Sequence, residues 1–197
     1  VEAVWTVGGP GDDVWLAAAV NGGATSADRE SIVLAGRTSQ RPAALSPIGH
    51  SSAAQEGMVV LYDSLDAMLA GATHRWATFI GHPVDNVHAE VTATAVVADQ
   101  SVSPVIVAHG LYHSGRLQVG GIELPDGGAG SVFMAGMSSV DGSVLWATVV
   151  HDATASGAVG TIAGAAAASP TPAGAAVCLS STDGRSTVVL VDVNDGS

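Results

Sequence analysis

The chain contains no lysine, a single cysteine and few aromatic side chains, with Phe, Trp and Tyr together at 4%. Charged residues fill only 12% of its 197 positions, about half the usual share. Each shortage removes a class of function. Six basic residues, all arginine, against a net charge of −12 leave no cluster of cations to neutralise phosphates. Nucleic acid is thereby excluded as a partner, and so is docking on an anionic membrane surface. One cysteine, Cys178, permits neither an internal disulfide framework nor a cysteine zinc site. Within Ala176-Val177-Cys178-Leu179 it reads as a small apolar strand residue, with an intermolecular disulfide left open. The one long uncharged stretch, residues 153–182, is broken by Pro170, Pro172 and several glycines, so no membrane insertion is expected. The chain opens at Val1 without a basic-then-apolar leader, which reads as a processed chain or a fragment.

What is present is small and apolar. Hydrophobic residues make up 47%, enough for a core, and Ala and Val dominate them. Such residues suit thin, closely stacked sheets, and the combination of high hydrophobicity with low charge argues against disorder.

A repeat organises this material. Trp5, Trp76 and Trp146 stand 71 and 70 residues apart, in Val4-Trp5-Thr6-Val7, Arg75-Trp76-Ala77-Thr78-Phe79 and Leu145-Trp146-Ala147-Thr148-Val149. A fixed spacing of this kind means one supersecondary unit used three times. Aligned on the tryptophans, first strands fall at 11–20, 84–97 and 156–163, each but the last entered from an Asp- or Asn-containing turn. Second strands fall at Ser31–Gly36, Val105–Gly110 and Ala176–Leu179, and third strands at Met58–Asp63, Val132–Met137 and Thr187–Asp192. The fourth strand carries the tryptophan. Even Ser64–Gly71, the best helical candidate, occupies the place that the turn Val140-Asp141-Gly142-Ser143 takes in the next unit. The expected fold is therefore all-β: three four-stranded, propeller-like blades of about 65–70 residues, out of phase with the chain ends. The units run over approximately 8–80, 81–150 and 151–197 of a single repeat domain, with residues 1–7 as the complementary fourth strand of the last. Three blades are too few for a ring, which takes about four to eight, so closure through a partner chain or a second copy is expected.

The segment Asp141-Gly142-Ser143-Val144-Leu145-Trp146, behind the strand Val132-Phe133-Met134, resembles the β-propeller repeats of secreted and surface proteins known as SBBP repeats. Ile32-Val33-Leu34-Ala35-Gly36-Arg37-Thr38-Ser39, followed by Pro42, resembles their Gly-x-Thr segment. The units here are longer, and the third lacks the Asp-containing entry turn. The resemblance implies an extracellular or cell-surface propeller used for binding or assembly, and it brings no catalytic residues.

Candidate sites are few. His109 and His113 have the i, i+4 spacing that binds zinc on a helix, but Gly110 and Ser114-Gly115 place them at a turn between strands. His82 and His88 form a looser pair. Asp192-Val193-Asn194-Asp195-Gly196 is one residue short of a calcium-loop pattern, so Asp192, Asn194 and Asp195 are weak calcium candidates against the alternative of a hairpin turn. No Gly-x-Ser-x-Gly elbow and no phosphate-cradling glycine motif occurs, so no catalytic residue and no cofactor is assigned and the chain reads as a non-enzyme. Ser169, Pro170, Thr171 and Pro172 lie in an Ala/Ser/Pro-rich segment expected to be an exposed loop and candidate acceptor of O-glycans or proline hydroxylation. The interaction residues are Val1, Val4, Trp5 and Val7, whose strand would pair with a blade lacking its fourth strand. The expected role is a non-catalytic structural or interaction module whose partner is protein, either a second copy or another propeller chain. Alternatives are a carbohydrate-binding or carbohydrate-cleaving propeller, with a glycan as partner, and a calcium-dependent adhesion module.

Overall fold

The computed structural model describes residues 14–21, 31–39, 55–71, 73–82, 87–97, 104–113, 115–128, 130–153, 159–162, 169–170, 173–181 and 186–197. Three antiparallel sheets carry these segments. Sheet I begins as a meander of β1 (Val14–Asn21), β2 (Ser31–Thr38), β3 (Glu56–Tyr62) and β4 (Trp76–Gly81). Sheet II has the order β10-β9-β6-β5, from β5 (His88–Val97), β6 (Val105–His113), β9 (Ser131–Ser138) and β10 (Val144–His151). Sheet III is built on β13 (Ala173–Ser181), with β14 (Ser186–Asp192) along one edge and the short β11 (Val159–Ile162) and β12 (Ser169–Pro170) along the other. Each first, second and third strand expected from the repeat has a counterpart, as do the fourth strands at Trp76 and Trp146. The Trp5 segment lies outside the described residues.

Two features differ from the expected four-strand units. A hairpin of β7 (Arg116–Val119) and β8 (Ile122–Asp126) interrupts the second unit between β6 and β9 and crosses to sheet I, where Ile80 and Gly81 of β4 pair with Val119 and Gln118 of β7. Among the described residues sheet I therefore has six strands. The alternation Leu117-Gln118-Val119 and Ile122-Glu123-Leu124 around Gly120-Gly121 is a two-residue hairpin signal that the repeat alignment obscured. The second difference is α1 (Leu65–Leu69), a helix where the next unit has a turn. Ser64 Oγ accepts the Ala67 amide at 3.0 Å, Asp66 lies in the first turn, and Gly71 follows the helix at φ 71°. Capping and helix-forming side chains outweigh the turn preference of the repeat position here. Ser169–Pro170, expected in a loop, pair instead with Gly174 and Ala173 of β13.

The sheets stack through alternating side chains. On β6, Ile106 and Ala108 face sheet I and join Val33, Ala35, Val59 and Leu61, while Val105 and Val107 face sheet III. On β9, Phe133 and Ala135 pack toward sheet I, and Val132 and Met134 toward Val191 and Val193. Sheet II is thus buried on both faces, which explains why β6 and β9 read as nearly continuous apolar runs rather than alternating ones. Arg37 of β2 and Glu90 of β5 tie sheets I and II together with an ion pair of 2.9 Å.

Candidate interaction edge

Trp76 and Trp146 fasten sheets I and II to the turn of the sheet that follows. Trp76 of sheet I donates from Nε1 to Ser139 O at 3.2 Å, and Trp146 of sheet II donates to Val193 O at 2.6 Å. Both acceptors hold the same place in one turn, used twice. Gly142 and Gly196 donate back to Ser138 O and Asp192 O, each at 2.9 Å. Ser138 and Asp192 amides donate to Ser143 O and Ser197 O at 2.9 and 2.8 Å. The carboxylates of Asp141 and Asp195 accept the Ser143 and Ser197 amides at 3.0 and 2.9 Å. These bonds hold both carboxyls below the ordinary aspartate range.

Gly142 and Gly196 are required where they stand. Both have left-handed backbone, at φ 72° and 77°, a region most side chains avoid. A Cβ at Gly142 would lie 2.6 Å from the Trp76 ring, and one at Gly196 would lie 2.7 Å from the Trp146 ring. Each indole is therefore roofed by a glycine backbone. Thr78 adds a bond from Oγ1 to Gly142 O at 2.8 Å.

The calcium candidates take part in this turn. Asp192 Oδ1 accepts both the amide and the side-chain Nδ2 of Asn194, at 2.8 and 2.9 Å, and Asp195 holds Ser197. All three residues build the turn over Trp146. Among the described residues no group of three or more His, Cys, Asp and Glu is placed to hold a metal. His109 is fully buried on β6, with Nδ1 3.3 Å from Thr92 Oγ1. His113 stands four residues further along the same strand, about 13 Å away at the strand rise, so the pair cannot share an ion. Pairing of β5 with β6 instead places His113 opposite His88, a juxtaposition that sequence spacing did not disclose.

The equivalent turns align β9 with β14: Ser138 matches Asp192, Gly136 matches Leu190 and Met134 matches Val188. On β9 these positions are covered. Met134 is fully buried, and Trp146 of β10 lies against Gly136. On β14 they are open, with Val188 at 59% and Leu190 at 73% exposure. Among the described residues β14 pairs only with β13. An apolar strand with an unpaired rim and an uncovered outward face is a template for another strand. Val1, Val4, Trp5 and Val7, the residues expected to supply that strand, lie outside the described residues, as do Thr171 and Pro172.

A separate cleft of about 650 Å³ opens where β4, the β7–β8 turn and residues 141–144 meet. Phe79, Glu56, His82, Gln118 and Ser143 are among its lining. His82 is buried, with Nε2 3.8 Å from Glu123 Oε2. Comparison with protein-family models, with curated proteins and with solved structures returns no match.

Proposed function

We propose that the chain is a non-catalytic structural and recognition module of an extracellular assembly, and that it completes a β-propeller by strand pairing with a partner chain or a second copy. The observation that carries this reading is β14: its outward Val188 and Leu190 are exposed, whereas the matching positions of β3 and β9 lie beside β4 and β10 and under the next sheet. Stacking of three antiparallel sheets, two of them bonded to the next through a tryptophan, supports the reading, because propeller blades are small antiparallel sheets set side by side. Main-chain hydrogen bonds along β14 would supply affinity, and side chains alternating between faces would supply selectivity. The extracellular setting rests on the likeness to surface propeller repeats. Sedimentation of the full chain tests the reading. The expected mass exceeds the 19.4 kDa of one chain in a concentration-dependent way, and Leu190→Arg returns it to the single-chain value without unfolding. An unchanged mass distribution in Leu190→Arg argues against β14 as the docking strand.

A second reading, glycan binding, is favoured by the cleft beside β4. Its carboxylate, imidazole and amide groups beside an aromatic ring match what sugar hydroxyls and sugar faces require. A glycan array with wild type and Gln118→Ala separates the readings: a glycan signal lost in the variant supports the cleft.

A further inference from the structure

The open strand has a definable occupant. Resting on the strand-pairing function proposed above, we infer that the segment Val4–Val7 of a second copy of this chain pairs antiparallel with β14, with Trp5 opposite Leu190, Thr6 opposite Val189 and Val7 opposite Val188.

The register comes from the two occupied sites. Trp146 stands opposite Gly136, Ala147 opposite Ala135 and Thr148 opposite Met134. In sheet I, Trp76 stands opposite Leu61, Ala77 opposite Val60 and Thr78 opposite Val59. Equivalence of the two turns maps Gly136 onto Leu190 and Met134 onto Val188. Val4-Trp5-Thr6-Val7 has the composition of the two known occupants: Trp first, then a small residue, then a β-branched one. Directly opposed residues share a face, so Trp5 would cover Leu190 on the outward side of sheet III.

Reach assigns the occupant to a second copy. Sheet II separates β1 from sheet III, and two sheet spacings come to about 20 Å. The place beyond β14 is displaced sideways from β1 by about three strand spacings, or ~14 Å. The straight path is therefore about 25 Å, close to the full extension of the seven residues from Val7 to Val14. That path runs through sheet II. Seven residues taken up by the straight distance leave no length for a detour around sheet II, whereas the same segment of another molecule is not tethered to this β1.

Cysteine cross-linking tests the occupant and register together. In a Cys178→Ser background, tagged Val7→Cys chains are mixed with untagged Val188→Cys chains and oxidised. Directly opposed strand residues lie within disulfide reach. The expected product is a covalent heterodimer, abolished by excess peptide corresponding to residues 1–8, while Thr6→Cys mixed with Val188→Cys links at least tenfold less. A cross-link within single chains and none between chains, in the Val7→Cys/Val188→Cys double variant, would overturn the second-copy assignment and leave strand pairing on β14 intact. A dimer by mass with no cross-link at either pair would overturn the segment and register alone. A uniformly monomeric wild type together with no cross-link between the cysteine variants would overturn the second-copy occupant, and only pairing with a different chain would then sustain the broader reading.

Discussion

At the scale of single residues, two kinds of residue fasten sheets I and II to the sheet that follows: a tryptophan whose indole donates to the next sheet's turn, and a glycine that lets that turn lie on the ring. Gly142→Ala and Gly196→Ala each force a side chain into left-handed backbone and into the indole. Each should cost about 1–3 kcal/mol, read as a lowered midpoint in urea denaturation. An unchanged midpoint in both variants would show that the rings can move aside. The carboxylates of the same turns give a pH dependence of known sign. Asp141 and Asp195 have folded-state pKa values below their ordinary value. Their contribution is therefore present above the unfolded aspartate pKa and lost as pH falls through the lower, folded value. Thermal midpoints should drop on acidification below about pH 4, and Asp141→Asn/Asp195→Asn should show a shallower drop than wild type. Equal slopes would remove these carboxylates from the account.

At the scale of elements, the strands were legible because their signal is strong and local: short β-branched runs between Gly, Asp and Ser clusters, repeated in step with Trp76 and Trp146. The hairpin β7–β8 and helix α1 were not, for different physical reasons. The hairpin belongs to one unit by sequence and to the neighbouring sheet by pairing, so the repeat alignment hides its destination. In α1, a local cap overrides the turn expected from the repeat position. Ser64→Ala removes the side-chain acceptor of the Ala67 amide and should cost about 1 kcal/mol, measured by chemical denaturation. No loss would mean that packing against β3 alone sets the helix. The candidate edge was legible only in part. The repeat pointed to Val4–Val7 as the segment proposed to pair there, but the exposure of Val188 and Leu190 required coordinates. The histidines show the converse, since His113 meets His88 through strand register rather than sequence spacing.

At the scale of the whole molecule, one contrast governs the account. Sheet II is covered on both faces, and its β9 is flanked by β6 and β10. Sheet III presents β14 with an apolar outward face and an unpaired rim among the described residues. Low charge near that strand lets another chain approach without desolvating many ions, since Ser186, Thr187, Val188, Val189 and Leu190 carry none. The most direct measurement is amide hydrogen exchange along β14 as a function of protein concentration. Amides of β14 that point away from β13 should exchange fast in dilute protein and become protected as concentration rises, while those of β9 stay protected throughout. Fast exchange at every concentration, alongside a mass that grows with concentration, would contradict the claim that β14 is where chains join.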